Sequence, residues 1–395
     1  MTLAKVKSAF RRWLHIEDEH YLDVGLATVV AHQFAGDPVW LFLVGASGSG
    51  KTEFLQSLRT EKVYALTQLT QHTFVSGLNL PKQKDPSLLP ELDGKVVVIK
   101  DFTAILSENP KMRAQIFGQL RDIYDGSTAK AFGSGVGTRR YDCHMGLIAG
   151  VTPAIEQYQS LGQVLGERFL NYRIRYANPE KAVEKAMQNA GSQREMREEL
   201  KAVVSEFLDR DWPDTPDAVT IPAHYAGKIM SLASAVAVLR TTVPKNRSGT
   251  VEYVPETEVA TRLVVQLTKL GSALASIRGK LEFGEAEYDV LLKVGRHSTP
   301  SVRIRLVQAL LHLSGPSAGF VESASIADHS HLSPTTVRAA MDDLRLLDLV
   351  ERKGSNPIRW RASERLRRVL TQSGLLLSNN ELGLSVVQFP MCARE

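Results

Sequence analysis

One octapeptide constrains this chain more than any other feature. Gly45-Ala46-Ser47-Gly48-Ser49-Gly50-Lys51-Thr52 follows the apolar run Val39–Val44 and leads into a helical pattern at Lys51–Leu58. Strand, glycine-rich turn and helix form the setting in which G-x-x-x-x-G-K-[ST] closes around phosphate. The glycines let successive backbone N–H groups curl toward phosphate oxygens, and the positive end of the following helix adds to them. Gly45, Ala46, Ser47, Gly48, Ser49, Gly50, Lys51, Thr52 and Glu53 are therefore the expected nucleotide-binding residues. Lys51 is expected to reach the β- and γ-phosphates and Thr52 to place its hydroxyl on Mg2+, with ATP as the ligand.

Strand and helix signals alternate from there. Val63–Leu66, Val96–Ile99, Gly146–Ala149 and Tyr172–Tyr176 read as strands, with helical patterns between them, as at Lys111–Tyr124. That alternation predicts an α/β fold with a parallel sheet and helices on both faces. Residues 3–35 read as two helices, and residues 178–295 as a helical region broken by Pro- and Gly-bearing connections.

A P-loop site needs a carboxylate at the end of a neighbouring strand for Mg2+, and a second to polarise water. The strand on offer is Val96-Val97-Val98-Ile99, followed by Lys100-Asp101-Phe102. If it ends at Ile99, Lys100 takes the metal-carboxylate position and Asp101 the usual glutamate position. If it runs one residue further, Asp101 serves Mg2+ and Phe102 replaces the glutamate. In both readings one acid is missing, and a simple helix cap competes for Asp101.

Further motifs follow. Leu120–Gly126 leads to Thr128-Ala129-Lys130-Ala131-Phe132, a turn at Gly133–Gly137, and Thr138-Arg139-Arg140-Tyr141, which reads as a hairpin. Gly146–Ala149 continues into Gly150-Val151-Thr152-Pro153, and Leu165-Gly166-Glu167-Arg168-Phe169 comes after it. Val259–Leu267, Leu274–Gly279 and Glu282–Tyr288 complete the series. With the phosphate loop, these runs make residues 38–294 resemble the AAA+ ATPase core of the minichromosome-maintenance (MCM) helicases, in the abbreviated form of phage and mobile-element proteins.

The resemblance implies roles. The hairpin would carry a basic residue to DNA in a central channel, with Lys130, Arg139 and Arg140 as candidates; a solvated surface hairpin is the plainer alternative. Thr152 would be sensor 1, where the family more often has Asn, or else a helix N-cap. Arg168 would be the arginine finger completing a neighbouring subunit's site, or else half of an ordinary salt bridge. Arg262 would be sensor 2 in an all-α lid. Lys51, Asp101, Thr152, Arg168 and Arg262 thus form the expected catalytic set, with Thr52 and Asp101 on the metal. About 38 residues precede the sheet, so the zinc- and OB-bearing region of full MCM proteins is not expected here. The short link from Thr52 to Val96 leaves none for their helix-2 insert.

Residues 301–315 form an amphipathic pattern ending at Gly315. Ser333 is a natural N-cap with Pro334 at the first helical position, and Val337, Met341 and Leu344 recur at helical spacing. Two short strands, 349–352 and 358–361, flank a turn at Lys353–Pro357. This is a winged helix-turn-helix pattern whose reader begins at Pro334. Its expected DNA contacts are Thr335, Thr336, Arg338, Arg352, Lys353, Arg359 and Arg361.

The expected division is a helical segment 1–37, an AAA+ α/β domain 38–177, an all-α lid 178–295, a winged-helix domain 301–372 and a tail 373–395. A chain of 395 residues can bury two or three cores. Its net charge of +5 argues little by itself for a polyanionic partner. Cys143 and Cys392 are too few for a disulfide framework or zinc cluster, which suits a reducing cytoplasm. Glu17, Asp18 and Glu19 follow soon after the first basic helix, against a signal peptide, and apolar runs stop at strand length. The expectation is a cytoplasmic, homo-oligomeric (ring or filament) DNA motor or replication factor without a membrane partner. A non-motor nucleotide switch is the alternative.

Overall fold

The structure is a computed structural model that describes residues 1–78, 85–132, 137–158, 168–246, 248–315 and 318–376. Its strands are β1 (Trp40–Gly45), β2 (Val63–Leu66), β3 (Val96–Ile99), β4 (Ser127–Phe132), β5 (Gly137–Asp142), β6 (Gly146–Val151), β7 (Phe169–Ile174), β8 (Val321–Glu322), β9 (Val350–Lys353) and β10 (Arg359–Ala362). Helices α1 (Leu3–Trp13), α2 (His20–Ala31), α3 (Lys51–Ser57), α4 (Leu89–Leu92), α5 (Thr103–Leu106), α6 (Pro110–Tyr124), α7 (Pro179–Gln188) and α8 (Gln193–Leu208) accompany the first seven. Beyond them lie α9 (Ala223–Arg240), α10 (Thr261–Ile277), α11 (Glu285–His297), α12 (Ser301–Ser314), α13 (Ser323–Ser330), α14 (Pro334–Leu346) and α15 (Glu364–Ser373).

The chain forms two compact units, Met1–Pro222 with Val265–Leu291, and Ala223–Val264 with the residues from Leu292 onward. The helical stretch expected as one lid at 178–295 is thus shared between them. Charge explains part of this division. Asp23 on α2, wholly buried, pairs with Lys7 of α1 at 2.6 Å and Arg278 at 2.8 Å. Arg278 also pairs with buried Glu287 at 2.8 Å, joined there by Lys280 at 2.9 Å. Buried carboxylates require such partners, and these tie residues 278–287 to the amino-terminal helices.

In the first unit β2-β3-β6-β1-β7 form a five-stranded, wholly parallel sheet. Every residue of β1, β3 and β6 is buried, which is why these strands read as unbroken apolar runs rather than alternating ones. The last strand begins three residues earlier than its expected start at Tyr172, because Phe169 and Leu170 already pair with Trp40 and Leu41. Phe42 stacks on Phe169 at 3.8 Å, and Phe102 and Phe117 extend the aromatic core on the α6 side. Strand order reverses about β1: the chain leaves it for β2 at one edge, whereas β7 lies on its other flank. Such reversals in open parallel sheets leave a crevice beyond the strands' carboxyl ends.

In the second unit α9 packs against α15, and β8-β10-β9 form an antiparallel three-stranded sheet beside α12, α13 and α14. Ser333 caps α14 as expected, its hydroxyl accepting from the Thr336 N–H at 3.1 Å, with Pro334 in the first turn. The expected strands fall one residue later, at 350–353 and 359–362, and β8 is an addition to them. No helix among the described residues is long and apolar enough to cross a membrane.

Candidate functional site

The octapeptide lies at the carboxyl end of β1, between β6 and β7 in the sheet. Gly48 (φ 80°) and Gly50 (φ 74°) both adopt the left-handed region, which a side chain resists and glycine enters freely. The Ser49 N–H donates to the Ala46 carbonyl at 3.2 Å and closes the turn. Lys51 folds back under it, only 7% exposed, with its ammonium donating to the carbonyls of Gly45 (2.9 Å) and Ala46 (2.8 Å). Burial pushes its pKa down, and the Asp101 carboxylate pulls it partly back. Thr52 is exposed. Glu53 is held by Arg197 of α8 in a two-point ion pair (2.9 and 2.8 Å), so it braces α3 against α8.

Register brings the second group level with this loop. Val44 pairs with Val151, and Ala149 with Ile99, so Asp101 stands about as high as Val151, two strands from the lysine. The strand stops at Ile99, and wholly buried Phe102 belongs to the core, so Asp101 is the single acid at the exit of β3. Asp101 is exposed, and one of its oxygens accepts the Thr103 N–H at 2.9 Å. It makes an Asx turn just ahead of α5, and its charge is the one that acts on the lysine. Thr152 follows β6 directly. Its N–H donates to the Thr103 hydroxyl at 3.0 Å, and that hydroxyl lies 3.4 Å from its own.

Other expected residues stand elsewhere. Arg168, at the amino end of β7, is 4% exposed; it bonds both carboxylate oxygens of Asp125 (2.7 and 2.6 Å) and stacks over Tyr124 at 5.2 Å. Its guanidinium is committed within its own chain. Leu165, Gly166 and Glu167 of that motif lie outside the described residues, as do Gly133–Val136 of the hairpin turn and residues 377–395 of the tail. Arg262 is half-buried on the first turn of α10, in the second unit.

The hairpin forms, with Lys130 opposite Arg139 and Ala129 opposite Arg140. Cross-strand partners share a face. Arg139 faces the segment after β2, donating to the carbonyls of Ser76 (2.8 Å) and Leu78 (2.9 Å) and pairing with Asp85. Lys130 donates to the Gln71 carbonyl at 3.3 Å. Arg140, on the opposite face, is exposed. Several arginines of the second unit also meet acids: Arg359 meets Glu322 at 2.9 Å, Arg361 meets Glu351 at 2.5 Å, and Arg352 lies 3.5 Å from Asp342. Thr335, Arg338 and Lys353 are exposed, while the Thr336 hydroxyl lies 2.8 Å from that of Ser333.

Sequence reasoning missed Thr103, Arg197 and Tyr176. Tyr176 closes the expected fifth strand and carries the one legible hint, an aromatic hydroxyl at a strand's carboxyl end. Its hydroxyl lies 3.3 Å from the Ser49 carbonyl. Compared with protein-family models and with curated proteins, the chain matches none.

Proposed function

We propose that this chain binds ATP in the loop between β1 and α3. In this reading it is an AAA+-type ATPase resembling the MCM-like core, whose second unit holds a DNA-binding winged helix and which acts as an oligomer. The observation that carries the reading is the buried Lys51 ammonium, held against the loop at the carboxyl end of β1 with Asp101 level with it. A cation poised beside backbone N–H groups at a sheet reversal suits a polyphosphate.

The exposed Thr52 hydroxyl and the exposed Asp101 carboxylate are hard oxygen donors, the kind Mg2+ takes alongside phosphate. Bound there, the ion would offset phosphate charge. Lys51 would hold the terminal phosphates, Asp101 the metal, and Thr152 the position of Thr103. Arg168 enters the reading only by leaving Asp125, and Arg262 enters as the lid arginine. For DNA, exposed Arg140, Thr335, Arg338 and Lys353 are the leading contacts, because the other candidate arginines already meet carboxylates.

One observation favours the second reading, a nucleotide switch without a motor. With Phe102 in the core and Lys100 beside it, β3 delivers a single acid, and one of its oxygens is engaged with Thr103. ATPase assays with and without DNA, run beside strand displacement, decide between them. Turnover stimulated by DNA and lost in Lys51→Ala supports the motor; nucleotide binding without stimulated turnover leaves the switch. Calorimetry with no uptake of Mg2+·ATP by folded protein rejects both.

A further inference from the structure

We propose that Tyr176 is a positioning residue for the phosphate loop, acting through the carbonyl of Ser49. The inference rests on the reading that this loop takes phosphate. The Tyr176 hydroxyl lies 3.3 Å from the Ser49 carbonyl and 3.1 Å from that of His15. A phenol has one proton to give, so the two carbonyls share it. In a planar trans peptide the C=O and the next N–H point in opposite directions. Drawing the Ser49 carbonyl toward Tyr176 therefore turns the Gly50 N–H the other way, away from the tyrosine. One hydroxyl on β7's exit thus sets the direction of one donor in the phosphate cradle.

The tyrosine is itself held on several sides. The His15 ring stacks on it with centroids 6.0 Å apart. Just beyond it, the N–H groups of Ala177 and Asn178 donate to the Glu17 carboxylate at 2.6 and 2.9 Å. Those two bonds hold the Glu17 pKa below its ordinary value. Before it, Tyr172 donates to Asp18 at 2.6 Å. Residues 15–18 therefore strap the exit of β7 on both sides of Tyr176. Its hydroxyl also lies 3.8 Å from where a β-carbon on Gly50 would stand, with Leu14 at 3.7 Å, so the left-handed Gly50 is backed from within.

Tyr176→Phe removes the hydroxyl and keeps the ring. On the full chain, calorimetry with Mg2+·tripolyphosphate and with Mg2+·ATP should give about three- to tenfold weaker binding of both, the scale of one net hydrogen bond. The equal loss matters, because tripolyphosphate has no base or ribose. Tyr172→Phe strips a hydroxyl from the same strand and strap, and should leave both affinities unchanged. Unaltered tripolyphosphate affinity in Tyr176→Phe overturns the inference while leaving nucleotide binding intact. Equal weakening in Tyr172→Phe overturns it too, since the effect would then belong to the strap's stability. Wild-type protein that takes up neither ligand removes the nucleotide reading and this inference with it.

Discussion

Gly150 on β6 sits so close to the exit of β3 that a β-carbon there would lie 2.5 Å from the Lys100 carbonyl oxygen. The Phe102 N–H then donates to the Gly150 carbonyl at 2.7 Å, locking the two strand ends together. Backbone cannot yield as a flexible side chain can. Gly150→Ala should push β3's exit away from β6, moving Asp101 and Thr152 apart. We expect a loss of about 1–3 kcal/mol in thermal or denaturant unfolding, with weaker Mg2+-dependent ATP binding. Wild-type stability in this variant would refute the close approach.

Asp101 holds two jobs that a pair of substitutions separates. Asp101→Asn keeps an oxygen to accept the Thr103 N–H but removes the charge. Asp101→Ala removes both, and losing that one hydrogen bond to the Thr103 N–H costs about 1 kcal/mol. The asparagine variant should melt like wild type yet lose the Mg2+-dependent part of its ATP affinity, and the alanine variant should lose both. Retained Mg2+ dependence in either would remove Asp101 from the metal.

Local pattern made the sheet and its loop legible, because both depend on neighbours in sequence. The ranges 63–66 and 96–99 were both readable to the residue: β3 is buried on both faces and so must be apolar throughout, while half-buried β2 at the sheet's edge still carries Val63, Tyr64, Ala65 and Leu66 in one run. Glycine at 48 and 50 announced the left-handed turn. Charged side chains were legible only as candidates. Whether Arg168 points outward depends on Asp125, 43 positions away, and Arg139's engagement on Asp85, 54 away. From Arg352 to Arg368 the chain shows only Glu364 as an acid, whereas Glu322, Glu351 and Asp342 come from outside that run to meet its arginines. The division of 178–295 was equally hidden, because Asp23 and Arg278 give no local signal of their pairing.

Arg168 gives a direct contest between its expected role and its observed setting. If its work is internal, Arg168→Ala should lower stability by about 1–3 kcal/mol. That is less than a fully buried pair would cost, because Asp125 is half-exposed and partly screened by solvent. Asp125→Ala should show a related loss. A finger acting in a neighbouring subunit predicts the reverse, unchanged melting with ATP turnover reduced by orders of magnitude.

The hairpin arginines should part company. Arg140→Ala should weaken DNA binding and lower its salt dependence by about one phosphate's worth, with no change in melting. Arg139→Ala should leave the Ser76 and Leu78 carbonyls and Asp85 without their partner, loosening the segment after β2 and making it more open to proteolysis. Equal DNA-binding losses without instability would mean that Arg139 also leaves its acceptors to meet phosphate.

At the other end of the sheet, acid should unlock the first unit through His32. Its ring is 6% exposed and stacks on His144 with centroids 4.5 Å apart. Burial, then His144, then Lys269 push its pKa down to about 3. His144 is lowered too, by burial and Lys269, against the opposing pull of Asp93 and Asp37. Folding therefore favours the neutral ring, so its contribution is complete above the unfolded pKa near 6.5 and is lost as pH falls toward 3. Protonation of His32 removes up to about 1.4 kcal/mol per pH unit across that window. The melting midpoint of wild type should fall more steeply from pH 7 to pH 5 than that of His32→Leu, whatever the variant's stability at neutral pH. Parallel curves for the two proteins would show that His32 takes up its proton as readily in the folded chain as in the unfolded one.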